Sequence, residues 1–360
     1  MFDFISNKKA FGLEISDFSL KAFWLKKKGN NYEIAGYNRL RIPKGLVIEG
    51  EIKKENEVAL LIQEIINSAR PQKITTPYVI SSLPENKTFV RIIKVPQMSK
   101  QDLEEAIKWE AENHIPISID DAYLDWQILN KKGKDIEILL SSAPKDLIDS
   151  YINVFNMAKL KVQALEPCAA SKGRALINEL NHQDSEKAYL IVDIGASKTV
   201  LDIVSNDKIY FSSSIFTVSG NLFTKKIADM LNIKESEAEK VKVECCSPKI
   251  SEKERKILDS IHAVLDNLAL EIRKIEDYFY QDLKNKNKEF EILICGGGSS
   301  FFGIVPYLSL KVKQKIKLGN PWINIKLDKP LELNHGESLT YTEAIGLAIR
   351  GANLKTYQIK

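Results

Sequence analysis

Two stretches of this chain, LEISDFSLKAFWL (13–25) and VDIGASKTVLDIV (192–204), are versions of one pattern. Each is an apolar strand ending in a carboxylate, a short polar turn, and an apolar returning strand. Laid over one another they match Glu14 to Asp193, Ile15 to Ile194 and Ser16 to Gly195, at an offset close to half of the 360 residues. Alternating apolar residues around a polar turn spell a β-hairpin, and one such hairpin is common. The same hairpin repeated half a chain away points to two lobes of similar topology facing one cleft. The length agrees, because 360 residues exceed one ordinary compact domain.

The chemistry of the pair gives the duplication a meaning. Tight hairpin turns aim backbone N–H groups at one place and so form anion-binding nests. Two of them facing each other can grip a phosphate chain from both sides. The carboxylates before the turns, Glu14 and Asp193, can hold Mg²⁺ through water, since Mg²⁺ keeps most of its own waters and takes one or two carboxylates. Ser197, Lys198 and Thr199 supply hydroxyl or charge at the second turn, and Lys21 puts a point charge just past the first.

A third piece is Cys295-Gly296-Gly297-Gly298-Ser299, which follows the apolar strand Phe290–Cys295. Its backbone can approach a ligand closely. It is not a P-loop, because no Gly-Lys-Ser/Thr follows, and Phe301 excludes a dinucleotide-binding fingerprint.

Composition closes other routes. The 52 basic and 48 acidic side chains nearly balance, which gives no electrostatic case for nucleic acid. Cys168, Cys245, Cys246 and Cys295 lack metal-ligand spacing, and His114, His182, His262 and His335 are scattered. Cys295 reads as a small buried residue rather than a nucleophile. No stretch approaches the length of a membrane span and no secretory signal opens the chain, so a cytoplasmic protein is expected. Met1–Ile5 reads as a frayed terminus.

Along the chain, strands are expected on both sides of the Ser16–Ser19 turn and at 32–42, followed by a helix at 56–69 with Val58, Leu61, Ile62, Ile65 and Ile66 on one face. The Lys26–Lys28 run reads as a solvated strand edge. Strands at 78–82 and 90–95, a helix capped by Ser99, strands at 123–129 and 136–142, and a helix at 145–159 make a βαββα module, with Trp109 and Trp126 expected in its core. Three strands follow over 188–214, turning at 195–198 and 206–207. Helices come next at 221–231, 235–244 and 252–283, the last with Ile257, Ile261, Val264, Leu265, Leu268, Ile272, Ile275 and Phe279 at helical period.

The order hairpin, hairpin, glycine loop resembles the actin/Hsp70/sugar-kinase superfamily, whose two-lobed α/β fold is built on ribonuclease H-like units. Glu14–Lys21 resembles its first phosphate loop, Asp193–Thr199 its second, and Cys295–Ser299 its adenosine loop. The resemblance implies ATP or ADP with Mg²⁺ between closing lobes, with Glu14 and Asp193 as catalytic and metal-facing carboxylates. It puts Ser16, Asp17, Lys21, Gly195, Ser197, Lys198 and Thr199 at the phosphates, and Gly296, Gly297, Gly298 and Ser299 at the adenosine. Ala238–Lys242 resembles the ribose and base contact helix, implying Glu239 and Lys242, and Gly220-Asn221 resembles a turn near the sugar. YTEAIGLAIRG (341–351) resembles the second inter-lobe helix, where Ala344, Gly346 and Ala348 permit close crossing.

Within the superfamily the chain is most similar to the PilM family of type IV pilus assembly, a relative of FtsA. The stretches 91–129, 219–242 and 341–351 carry this, above all IKWEAENHIP (107–116). The resemblance implies a first lobe at 1–75, an inserted FtsA-type βαββα subdomain at 76–160, and a connecting helix at 161–185. It places the second lobe at 186–338, with its outer part near 220–285, and a terminal helix at 339–360 returning to the first lobe. It implies a scaffold at the inner face of the cytoplasmic membrane, held there by partners. Its groove, between the first lobe and the insert, would take the cytoplasmic N-terminal peptide of a PilN-like membrane protein. Further partners would be the pilus motor ATPase and further copies of itself. FtsA fits less well, since GANLKTYQIK carries no apolar face for a membrane helix.

The first loop departs from the family's Asp-x-Gly-Ser/Thr. Glu14 is one methylene longer, Ser16 carries a Cβ where glycine permits close approach, and Asp17 adds negative charge beside a triphosphate. Weak nucleotide binding with slow or absent hydrolysis is expected. The competing readings are an active ATPase or sugar-type kinase, for which no aspartate base appears outside the phosphate loops, and an FtsA-like cytoskeletal filament.

Overall fold

A computed structural model describes residues 2–3, 8–132, 134–178, 187–205, 208–244, 252–281, 289–329 and 333–353. The expected terminal fraying at Met1–Ile5 apart from a two-residue strand, the 206–207 turn, Cys245, Cys246, His182 and the tail past Asn353 lie outside the described residues.

The first lobe begins with β1 (Phe2–Asp3), β2 (Phe11–Ile15), β3 (Ser19–Lys28), β4 (Asn31–Arg41), a small hairpin β5 (Val47–Ile48) and β6 (Glu51–Ile52), α1 (Glu55–Asn67), β7 (Arg70–Pro71) and β8 (Tyr78–Leu83). Then come β9 (Phe89–Pro96), α2 (Lys100–His114), β10 (Ala122–Lys132) and β11 (Asp135–Pro144). The chain returns through α3 (Lys145–Met157), β12 (Lys161–Pro167) and α4 (Cys168–Leu176). The second lobe holds β13 (Lys187–Ile194), β14 (Thr199–Ser205), β15 (Lys208–Ile215), α5 (Gly220–Leu231), α6 (Glu235–Glu244), α7 (Glu252–Gln281), β16 (Glu289–Cys295), α8 (Ile304–Val312) and β17 (Ile316–Leu318). The short α9 (His335–Thr340) and α10 (Thr342–Ala352) follow.

The duplication runs deeper than the hairpins. In the first sheet the strands lie in the order β4-β3-β2-β8-β12, with β1 and β7 added at the ends; in the second they lie β15-β14-β13-β16-β17. Each unit is an antiparallel three-strand meander whose first strand pairs in parallel with the fourth, and the fourth with the fifth. Helices cover the sheets because strands buried on both faces need apolar cover. In the first lobe Val58, Ile62 and Ile65 of α1 and Leu147, Ile148, Tyr151, Val154 and Phe155 of α3 close over the sheet. In the second the 3.6-residue stripe of α7, Ile257 through Phe279, is buried.

Several expectations need correction. β8 is a central strand of the main sheet and α3 packs with α1 over the first-lobe core, so the inserted element is β9-α2-β10-β11 rather than 76–160. The expected connecting helix at 161–185 is a strand over Lys161–Pro167 and a helix only over Cys168–Leu176, with 179–186 outside the described residues. The reason lies in β12, where Val162, Gln163, Ala164, Leu165 and Glu166 are buried in succession, the mark of an interior parallel strand. Trp109 is 73% exposed, because the buried stripe of α2 is Leu103, Ile107 and Ala111 and Trp109 falls off it. Trp126 does pack on the insert's core. Lys26–Lys28 is the solvated strand end expected: it runs past the pairing with β2 to the β3–β4 turn, with Lys26 over Trp24 at 4.2 Å and Lys28 paired with Glu33 at 2.8 Å.

Two helices join the lobes. α4 and α10 cross at Gly346, where a Cβ would stand 1.9 Å from the Ser171 carbonyl oxygen. Buried Glu166 is held there by Arg174 at 2.7 Å and Arg350 at 2.5 Å. α10 also lies against β2 and so carries Glu343 to the end of the strand that bears Glu14. The insert touches the second lobe as well: Val90, Ile92 and Leu139 share a core with Val204 and Ile209, and Lys208 pairs with Glu137.

Candidate functional site

Both hairpin turns open onto one cavity of about 470 Å³ between the lobes, within the range of small-ligand pockets. The two turns share a frame. Ser16 N donates to Ser19 O at 3.1 Å, and Gly195 N donates to Lys198 O at 2.9 Å. These bonds hold the same positions in the repeat.

Their contents differ. In the first turn Ser16 Oγ accepts from Phe18 N at 3.4 Å and Ser19 N at 3.1 Å while donating to Ser19 O at 3.0 Å. The Asp17 carboxylate accepts from Glu49 N at 2.9 Å and Gly50 N at 2.8 Å, which ties the turn to the β5–β6 hairpin. Glu14 and Lys21 are cross-strand partners and form an ion pair. This turn satisfies much of its own polarity.

In the second turn the amides of Ala196, Ser197 and Lys198 make no hydrogen bond to another described residue. The carbonyls of Gly195 and Ala196 accept from Gly220 N and Asn221 N, each at 2.9 Å, so the N-terminus of α5 is joined to the turn. Gly220-Asn221 is therefore the opening of a helix capped by Ser219 rather than a free turn. Asp193 pairs across the strands with Val200, and its cation comes from α4: Lys172 Nζ lies 3.5 Å from Asp193 and 2.7 Å from Asp202. Burial alone would lower the Lys172 pKa, but the carboxylates of Asp202 and Asp193 outweigh it and hold the group well above its ordinary value.

Glu14, Ser16, Asp17, Lys21, Asp193, Gly195, Ser197, Lys198, Gly220, Asn221, Glu239, Lys242, Gly296, Gly297 and Gly298 all line the cavity. Thr199 and Ser299 do not. Both are buried and turned inward, Thr199 Oγ1 donating to Val218 O at 2.9 Å and Ser299 Oγ to Gly296 O at 2.7 Å. Gly296 adopts φ +83°, and a Cβ there would stand 2.2 Å from Asp193 Oδ1, so the glycine loop sits directly on the end of β13. Glu239 and Lys242 lie on one face of α6, 2.7 Å apart, and Lys242 also donates to Gly220 O at 3.0 Å and Thr224 Oγ1 at 2.8 Å.

Among the groups that escaped sequence reasoning, Glu85 and Glu343 line the cavity and Lys172 lies fully buried beside Asp193. Lys172 is one of two cations in the small-residue helix CAASKGRAL, and Glu343 a lone acid in the apolar TEAIGLAI; a charge set among small or apolar residues was the available signal. Burial pushes the Glu343 carboxyl up to about 8, with Glu14 adding to the effect and Lys172 and a hydrogen bond from Ser82 opposing it. Glu85 is paired with Lys198, which outweighs burial and holds Glu85 below its ordinary range. Among the described residues no group of three or more His, Cys, Asp or Glu is arranged to hold a metal, and no helix is long and apolar enough to cross a membrane. Cys168 and Cys295 are buried free thiols, both pushed well up by burial.

Comparison with known proteins gives a consistent result. The family profile described as type IV pilus assembly protein PilM matches residues 12–352. Among solved structures, the PilM-PilN type IV pilus biogenesis complex is similar at TM-score 0.79 and 26% identity, over 96% of this chain and 99% of that one. The ethanolamine utilization protein EutJ from Carboxydothermus hydrogenoformans has TM-score 0.57 at 12% identity, over 96% of this chain and 90% of its own. MreB5 of Spiroplasma citri bound to AMPPNP has 0.54 at 14%, over 97% and 98%. The last two show the fold alone, and that fold is actin-like.

Proposed function

This chain belongs to the type IV pilus assembly protein PilM family, and from that membership we propose that it is an actin-like docking platform of the pilus machine. It holds a nucleotide between its lobes and receives the cytoplasmic N-terminal segment of a PilN-like membrane protein. The observation that carries this reading is the near full-length match to a protein solved in complex with PilN. The segment would lie between the first lobe and the insert as an extended peptide. Attachment to the inner face of the membrane, and any contact with the motor ATPase or a second copy, would follow from that partner.

The nucleotide would be ATP or ADP. Its phosphates would meet the amides of Ala196, Ser197 and Lys198, which have no partner among the described residues, with Lys198 for charge and the glycines at 296–298 under the adenosine. Glu239, Lys242, Gly220 and Asn221 line the side where the sugar and base would sit. Mg²⁺ would neutralise the phosphates. Among the described residues buried Glu14 Oε2 has no hydrogen-bond partner and would accept from a metal-bound water, with Asp193 lining the same cavity. Ser16, Asp17 and Lys21 contribute less, because their polar groups are spent within the first lobe. Both carboxylates that would steer a nucleophilic water face a lysine, so nucleotide serves as a structural ligand or switch and hydrolysis is slow or absent.

The test is a calorimetric titration of the purified protein with the N-terminal cytoplasmic segment of a PilN-like membrane protein from the same source. Saturable binding with Kd at about micromolar is expected. No heat at ~100 μM peptide would contradict the platform reading, and brisk phosphate release from ATP would contradict the passive nucleotide.

A further inference from the structure

An ion pair ties the second turn across the cleft. Lys198, on the β13–β14 turn of the second lobe, pairs with Glu85, on the segment that leaves β8 of the first lobe. The pair is well covered, with the Lys198 side chain 18% and the Glu85 side chain 6% exposed, and both line the cavity. Glu85 therefore lies in the wall of the cavity that Ala196, Ser197 and Lys198 also line.

The segment that carries Glu85 is short and internally braced. Lys87 N donates to Pro84 O at 3.1 Å and Thr88 Oγ1 to the same carbonyl at 2.9 Å. Lys87 pairs with Glu51 at 2.5 Å. Pro84 fills the space over Gly50, where a Cβ would lie 2.3 Å from the proline ring. Gly50 N in turn donates to Asp17 of the first turn. At its other end the segment becomes β9, the first strand of the insert, at Phe89. A single run of contacts thus joins the first turn, the β5–β6 hairpin, residues 84–88, the second turn and the root of the insert.

We propose that the Glu85–Lys198 ion pair is a latch across the cleft, which a phosphate group bound at the 195–198 turn opens, passing the occupancy of the cleft to the inserted subdomain through residues 84–88. This rests on the reading that phosphate docks at that turn. Two physical facts drive it. A phosphate at the three amides offers Lys198 a second and more highly charged partner. It also places negative charge beside the Glu85 carboxylate, and like charges in a covered site repel strongly. Glu85 then has to swing out or lose its partner, and the brace it belongs to leads straight into β9.

Hydrogen exchange of residues 84–95 followed by mass spectrometry tests the latch without relying on nucleotide. In ligand-free Glu85→Gln, exchange over 84–88 should rise by about threefold or more over wild type. The charge-swapped double variant Glu85→Lys/Lys198→Glu should return it to the wild-type rate. Adding ATP with Mg²⁺ to wild type should reproduce the loosening, and Glu85→Gln should bind that nucleotide about threefold to tenfold more tightly. Unchanged exchange in ligand-free Glu85→Gln overturns the latch. So does a double variant that exchanges as fast as the single one. If neither protein binds ATP while ligand-free Glu85→Gln is loosened, the latch stands and the proposed nucleotide falls.

Discussion

The two hairpin turns are built on one frame and do opposite things with it. Both close with an amide-to-carbonyl bond at equivalent positions, Ser16 to Ser19 and Gly195 to Lys198. In the first, a serine hydroxyl takes up two of the turn's amides, an aspartate braces the neighbouring hairpin, and the strand-end glutamate is paired by the lysine directly across from it. In the second, where glycine stands in place of Ser16, three amides have no partner among the described residues, and the strand-end aspartate is held by a lysine delivered from the inter-lobe helix. A duplicated fold has kept the geometry of both turns and, among the described residues, left uncommitted amides in one.

The largest expected difference between them is in stability. Lys172 is fully buried against two carboxylates, so Lys172→Met strands charge in the core and should cost about 3–5 kcal/mol in urea unfolding. Lys21→Met removes the equivalent cation from the first hairpin and should cost about 1–3 kcal/mol. Equal losses would mean that the two carboxylates are held alike.

Ligand affinity comes next. Gly195→Val places a Cβ about where Lys198 O approaches to 2.8 Å and deforms the second turn, so affinity for fluorescent ATP should fall by more than about tenfold. In the first turn Glu14→Asp with Ser16→Gly should tighten binding by about threefold, because the substitution frees the amides of Phe18 and Ser19. No gain would show that the hydroxyl is not what silences the first turn.

A smaller effect separates by pH. Glu343 titrates near 8 in the fold against an ordinary 4.5, so the fold favours its neutral form. A carboxyl raised in this way contributes its stability below the ordinary value and loses it as pH rises from there to about 8. Glu343→Gln keeps the neutral shape at every pH. Its melting temperature relative to wild type should climb through that window and level off above it, and parallel profiles would contradict the assignment. The least change is expected from Asp17→Asn, which keeps one acceptor for Glu49 N and Gly50 N and should cost about 0.5–1.5 kcal/mol.

Much of this fold was legible because it is written in periods. The hairpin repeat, the stripe of α7 and the Ser99 cap on α2 followed from spacing, and the cap is formed as expected, Ser99 Oγ accepting from Asp102 N. What spacing could not supply was which element lies beside which. β8 and β12 belong to the main sheet because they pair in parallel with strands remote in sequence, and nothing local separates them from the insert or the connecting helix. Trp109 was expected inside because aromatic residues usually are; the helical stripe two residues to either side decided otherwise. Thr199 and Ser299 are polar residues in the right loops whose hydroxyls found backbone carbonyls inside the protein. Glu85 and Glu343 reach the cavity from different elements, with Lys172 buried behind Asp193, and only the folded chain brings them together.

The division of labour between the turns can be read amide by amide. Backbone ¹H–¹⁵N NMR of the labelled protein, titrated with ATP and Mg²⁺, should move the resonances of Ala196, Ser197 and Lys198 and leave those of Phe18 and Ser19 in place. Equal shifts at both turns, or shifts at the first alone, would contradict the assignment of the phosphate site to the second hairpin.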